Sequence, residues 1–200
     1  MSGPFEQASA QDIRDLMAAH PLAWLVSQGD QGFCGTPIPL LEDPVSDGPV
    51  VSLLGHMARR NRHVDALTKE PRALVIFQGP HGYISPSWMA DRTQAPTWNY
   101  TAVRMQVEVR FDEAETDLAL AKLVAAMEKG RERAWSEGEM GVRYSALAQH
   151  VIAFRARVVS IEPRFKLGQD ERDDVFVDIL NGLGDTALSA WMRRFNLGRG

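Results

Sequence analysis

"WNYTAVRMQVEVRFD", residues 98–112, decides the fold. Val103, Met105, Val107, Val109 and Phe111 fall on one side of an extended chain, with Arg104, Gln106, Glu108 and Arg110 on the other. A period of two sends successive side chains to opposite faces of a sheet. One face is apolar and the other polar, which marks a long, half-exposed antiparallel strand. Outward from it, "VIAFRARVVSIEPRFKLG" (151–168) alternates in the same way, with Ile152, Phe154, Ala156 and Val158 set against Arg155 and Arg157. "LAWLVSQ" (22–28), "FCGTPIPLLED" (33–43) and "GPVVSLLGHM" (48–57) read as further strands, and "GDQG" as a hairpin turn. Pro37 and Pro39 each remove a ladder donor, so 33–43 is an edge strand or carries a bulge. "RALVIFQG" (72–79) has the length of a buried strand, and "GYIS" is expected to be its hairpin partner.

Helical periods lie between and after these strands. "SAQDIRDLMAAHP" has Ser9 as N-cap, Asp12 three residues on, and Ile13, Leu16 and Met17 on one face. "ARRNRHVDALTKEP" (58–71) predicts a helix ended before Pro71, and "EAETDLALAKLVAAMEKG" (113–130) an amphipathic helix capped by Gly130. "GVRYSALAQH" predicts a short helix, and "ERDDVFVDILNGL" and "DTALSAWMRRFNLG" predict two terminal ones. Strands follow one another without a helix after each. The expected class is mainly β with α (α+β), an antiparallel barrel or meander with helices at its ends, not a doubly wound sheet.

Two hundred residues, 44% hydrophobic and 24% charged, suit one domain able to bury its own core. Cys34 is the only cysteine, which excludes an intramolecular disulfide and a cysteine-based structural zinc. The net charge of -4 argues against a general polyanion binder, though not against a local basic patch. "MSGPFEQASA" lacks the basic-then-apolar order of a signal peptide, and no apolar run is long enough to cross a bilayer. A cytoplasmic location without membrane contact is expected.

Several motifs carry less than they suggest. Gly182, Gly184 and Ala187 spell G-x-G-x-x-A, but the chain ends at Gly200 and leaves no room for the strand and acidic residue of a dinucleotide unit. A turn between two helices is the better reading. His20, His56, His63, His81 and His150 form no metal-ligand pair at standard spacing, and no G-x-S-x-G elbow occurs. "GHMARRNRH" (55–63) is more informative. Arg59, Arg60, Asn61 and Arg62 bring donors to an expected helix N-terminus, where a phosphate fits. A solvated basic face, or a DNA contact, would use the same residues.

"GPHGYISPSWMADRTQAPTWNYTAV" (79–103) concentrates rings and hydroxyls between stiff turns. Tyr83, Trp88, Trp98 and Tyr100 can wall a planar heteroaromatic ligand, and Ser85, Ser87, Thr97 and Asn99 can bond its rim. Pro86 and Pro96 reduce the cost of ordering the loop. The same aromatics could instead fill a barrel end or a subunit interface.

"GHMARRN", "FQGPHGYISPSW" and "PTWNYTAV", in this order, resemble the PaiB-type FMN-binding negative transcriptional regulators. "FKLGQD", "HPLAWLVS" and "PIPLL" are similar to further motifs of that family, and the resemblance spans roughly residues 12–180. It implies an antiparallel Greek-key split β-barrel with peripheral helices, of the flavin-reductase and pyridoxamine-phosphate-oxidase type. On this resemblance the chain is a single domain over 1–200, with a barrel core at about 12–170 and C-terminal helices at about 171–197. It also implies a homodimer with FMN at the subunit interface. The isoalloxazine would lie near 83–88 and 97–100, the phosphate near Arg59 and Asn61, and Lys166 and Gln169 would close the site. The pattern departs from the family at Met89, Gln94, Pro37, Gly168 and Asp170, the last placing a negative charge where an amide is usual. Two functions follow from the resemblance. One is an FMN-dependent reductase or other oxidoreductase, for which no acid–base residue is identified. The other is a non-enzymatic regulator or ligand sensor acting through DNA or a partner protein; the negative charge and the absence of a helix-turn-helix pattern do not support direct DNA binding.

Overall fold

The structure, a computed structural model, describes residues 3–30 and 32–199; Gln31 of the expected GDQG turn lies outside them. In chain order the elements are α1 (Ala10–Ala19), β1 (Leu22–Gly29), β2 (Gly32–Pro39), β3 (Leu41–Glu42), β4 (Ser52–Ala58), α2 (Arg62–Lys69), β5 (Arg72–Ile84), β6 (Thr97–Asp112), α3 (Thr116–Glu128), α4 (Arg143–Ala148), β7 (Val151–Lys166), α5 (Asp173–Leu183) and α6 (Ala187–Phe195). The strands form an antiparallel sheet in the order β2-β1-β5-β6-β7-β4-β3. The chain crosses from the β1–β2 hairpin to β3–β4 at the other end of the order before it returns as β5, a connection of the Greek-key kind.

Contacts divide the chain into two compact units. One holds Met17–Phe77 and Arg104–Ile161. Its core is the apolar face of alternating strands: Leu25, Leu53, Leu54, Val75, Phe77, Met105, Val107, Phe154 and Ala156 are all buried. The expected alternation of β6 holds, since Val103, Met105, Val107 and Val109 are buried while Arg104, Gln106 and Arg110 are exposed. β2 ends the strand order and pairs only with β1, from Leu22↔Pro39 to Gly29↔Gly32, which is where Pro37 and Pro39 are tolerated. At Gly55, paired with Phe154, a Cβ would come within 2.5 Å of Leu40 Cδ2 and 2.9 Å of Phe154 Cζ. Asp43 is buried against Arg155 at 2.9 Å and against Lys122, and Arg155 also meets Glu115 at 2.7 Å. Burial alone would raise the Asp43 pKa, but these two cations hold it below the usual range.

The other unit holds the chain up to Leu16, Gln78–Val103, and the chain from Glu162. Here α5 and α6 build the core, with Val175, Phe176, Ile179, Leu188 and Met192 buried. Phe165 of β7 stacks on Trp191 and Phe195 of α6 at centroid distances of 5.6 and 5.1 Å. Arg194 ties α6 to Asp12 and Asp15 of α1 at 2.5 and 2.7 Å. Gly168 has φ +82°, and a Cβ there would meet Phe176 and Met192 at 3.2 and 3.3 Å. Glycine at this family departure therefore answers both a backbone and a packing demand.

Two expectations are corrected. "GYIS" is not a separate hairpin strand; β5 runs unbroken from Arg72 to Ile84. Pairing with β1 covers only Leu74–Ile76, so Pro80 lies beyond it and takes no bond from that neighbour. The helix expected from 58 begins at Arg62. Arg59 N–H is drawn to the His150 carbonyl at 2.9 Å, and Asn61, in extended conformation, caps the helix instead. The G-x-G-x-x-A segment runs from Gly182 in the last turn of α5, through the turn at Gly184 (φ +64°), to Ala187 at the start of α6.

Gly55→Ala tests the packing of the first unit. It should destabilise the fold by about 1–3 kcal/mol, read as a lower urea midpoint with an unchanged slope.

Candidate functional site

The ring-rich segment is sorted by strand alternation. His81 and Tyr83 of β5 and Trp98 of β6 are exposed, and Tyr100 is half-buried. Trp98 is 55% exposed and Tyr83 46%. Their rings meet edge to face at 6.0 Å and 62°, and His81 lies against Trp98 at 6.4 Å and 30°. Arg164 Nε donates to the Tyr100 hydroxyl at 3.0 Å. Asn99 faces the other way. It is 1% exposed, its Nδ2 donates to Met192 Sδ at 3.6 Å, and its Oδ1 is buried without a partner. α6 covers that inner face, with Leu188 beneath Gly82 and Met192 beneath Asn99. The residues expected at 97–100 are thus divided, Trp98 and Tyr100 outward and Asn99 inward.

The flanking polar groups are largely engaged. Ser85 caps a short 3-10 turn at Pro86–Trp88, accepting from Ser87 N–H at 3.2 Å, and the two hydroxyls lie 2.7 Å apart. Lys166 Nζ donates to Thr97 Oγ1 at 2.5 Å. Gln169 closes the turn after β7, accepting from Leu167 N–H at 2.8 Å and donating to the Phe165 carbonyl at 2.6 Å. Met89 is buried, and Gln94 donates to Asp91 at 2.7 Å. Asp170 is exposed.

Arg59 and Asn61 belong to the other unit. Arg59 donates to the Gln149 carbonyl at 2.9 Å and pairs with Glu113. Arg59 and Arg60 line a cavity of about 380 Å³ with Ala58, Gln149, His150 and Val151. Asn61 Oδ1 accepts from His63 N–H at 3.0 Å, and its Nδ2 donates to Thr36 Oγ1 at 3.3 Å. Arg60 and Arg62 are exposed.

Sequence reasoning missed the centre of this turn. His63 is fully buried, with Nε2 3.1 Å from the Cys34 carbonyl and Nδ1 2.8 Å from Thr36 Oγ1. A carbonyl only accepts, so Nε2 carries the hydrogen and Nδ1 accepts from the threonine. Burial lowers the His63 pKa, against a smaller upward pull from the Cys34 bond, and burial lowers that of His56 as well. The pairing joins residues 27 positions apart, and no local spacing signals it. His81 was within reach of pattern reading, since it stands two residues before Tyr83 on one strand.

A family described as "Putative FMN-binding domain" matches residues 1–160. Over 184 residues the chain is 27% identical to Protease synthase and sporulation protein PAI 2 of Bacillus subtilis, covering 90% of this chain and 86% of that one. The FAD and heme binding protein of Mycobacterium smegmatis has a TM-score of 0.59 at 16% identity, covering 86% of this chain and 78% of that one. A flavocytochrome of Azotobacter vinelandii gives 0.57 at 15%, covering 81% and 69%. At these identities the likeness is one of fold, and the fold is the expected split β-barrel. No helix among the described residues is long and apolar enough to cross a membrane.

The buried histidines set a pH dependence. Both are lowered from 6.5, so the unfolded chain takes up protons that the folded chain refuses as pH falls below that value. Stability should fall between about pH 6.5 and 5, by at most about 1.4 kcal/mol per pH unit for each histidine. Glu171, raised by burial first and then by Asp170, acts in the opposite sense. The histidine share is therefore the difference in slope between the native chain and His56→Gln/His63→Gln, measured by urea unfolding across that range. Equal slopes would refute it.

Proposed function

The chain belongs to the FMN-binding-domain family that matches residues 1–160, and from that premise we propose a PaiB-type flavoprotein that holds FMN against the outward face of β5 and β6. The observation that carries this reading is the pair Tyr83 and Trp98, two large rings side by side and about half exposed. Exposed aromatics of that size on a sheet face suit a flat partner, and burying them under one is favourable. The residues present fit the group. His81, Tyr83 and Trp98 offer ring surfaces, Tyr100 stands beside them under Arg164, and Trp88 lies in the adjoining segment. Ser85, Ser87 and Thr97 offer polar atoms at or just beyond the ends of the same strands, and Lys166 one at the end of β7. Asn99 and Gln169 support this face from within and from the turn after β7.

The turn at Arg59 and Asn61, in the other unit, we propose by itself as an anion site, the one that the resemblance gives to the phosphate. Both are tied down by internal bonds, which leaves Arg60 and Arg62 as the exposed cations of that turn. A second copy of the chain, forming a homodimer, would cover the exposed rings and complete the site. When bound, FMN supplies the capacity to accept and pass on electrons, and the chain supplies orientation, ring contacts and exclusion of water. On this reading the chain is an FMN-dependent oxidoreductase, and we place it in the cytoplasm as part of the same proposal. The regulatory reading draws on the resemblance of the sequence motifs to PaiB-type negative transcriptional regulators. It gains no support from the net charge of -4.

Titration of the flavin-free protein with FMN, followed by flavin fluorescence, tests the proposal. Saturable quenching is expected, and Trp98→Ala should raise Kd roughly tenfold, the scale of one aromatic stacking contact. Absence of uptake by the native chain, or an unchanged Kd in Trp98→Ala, would overturn it. With FMN bound, bleaching by a nicotinamide donor under anaerobic conditions supports the enzyme; no bleaching supports the regulator.

A further inference from the structure

Segment 85–96 carries Ser85, Ser87 and Trp88, yet contains only one short 3-10 turn. A stretch of this kind ordinarily samples many conformations, and a ligand that needs one of them must order it. Here α5 and its N-cap residue Arg172 hold it at three points. The Trp88 ring lies directly on the helix at Gly182, where a Cβ would stand 2.6 Å from Trp88 Cε3. Ala90 N–H donates to Asp178 Oδ2 at 2.7 Å. Asp91 Oδ2 accepts from Arg172 Nη2 at 3.2 Å. Asp178 and Gly182 are four residues apart, hence on one side of the helix. Asp91 then organises the rest of the loop, accepting from Thr93 N–H at 3.1 Å and from Gln94 Nε2 at 2.7 Å.

We infer that α5 positions the flavin-binding segment: Gly182 seats Trp88, Asp178 holds Ala90 and Arg172 holds Asp91, so the loop is set before ligand arrives. α5 lies beyond residue 160, where the family match ends, so the helix side of this clamp is not part of the matched domain. The three residues act through the loop. The functional consequence rests on the flavin reading above; the clamp itself does not.

Two measurements separate them. In ligand-free protein, amide hydrogen exchange over residues 88–94 should quicken about tenfold in Gly182→Ala and in Asp178→Ala, the loss of one hydrogen bond or seated ring. Asp178→Asn keeps an acceptor oxygen and should exchange as the native chain does. With FMN, Gly182→Ala should raise Kd about tenfold, and should change nothing further in a Trp88→Ala background. A purely structural role for Gly182 would lower the unfolding midpoint without that coupling to Trp88. Unchanged exchange in both alanine variants overturns the clamp. A Gly182→Ala effect on Kd that persists without Trp88 overturns the route through the ring. If the native chain takes up no FMN, the flavin reading fails, and the exchange measurement still decides the clamp.

Discussion

A side chain on a strand can face only one way, and at the head of β6 that choice is settled by what α6 covers. Leu188 and Met192 occupy the space under Gly82 and Asn99, so the inner face of β5 and β6 is closed by a helix. Trp98, one residue from Asn99, must then face outward, as must Tyr83 and His81 on the neighbouring strand. The exposed rings follow from the burial of their neighbours. The stack of Phe165, Trp191 and Phe195 holds α6 in that place, and Arg194 secures its outer side to α1.

Glycine sets the close approaches on which both units depend. Gly55 lets Leu40 and Phe154 meet over β4, Gly168 turns the chain after β7 beneath Phe176, and Gly182 admits the Trp88 ring to α5. Each is a place where one added carbon would displace a large side chain. Gly168 also shows how a departure from a family pattern can be read. Its positive φ and crowded surroundings explain the residue without reference to any ligand.

The polar groups divide between those that hold the chain and those free to act. Arg59 and Asn61 were singled out for their donors, but their donors already serve Gln149, Glu113 and Thr36. His63 anchors that turn from within, as a neutral imidazole fixed by a carbonyl on one side and a hydroxyl on the other. Arg60 and Arg62, which looked equivalent to Arg59 in the sequence, remain at the surface.

Local periodicity determined the strands, most helices and the edge position of Pro37 and Pro39, because alternation and proline chemistry act within a few residues. Several distinct motifs pointed to the family for a similar reason: each is a short run legible by itself. The unbroken course of β5, the late start of α2 and the inward turn of Asn99 were decided only in three dimensions. The last two depend on partners far along the chain, Arg59 on His150 and Asn99 on Met192, as do the burial of His63 against Thr36 and the seat of Trp88 on Gly182. A single sequence records which residues can face a sheet, but not which helix will arrive to cover it, since that choice is made by packing between distant segments.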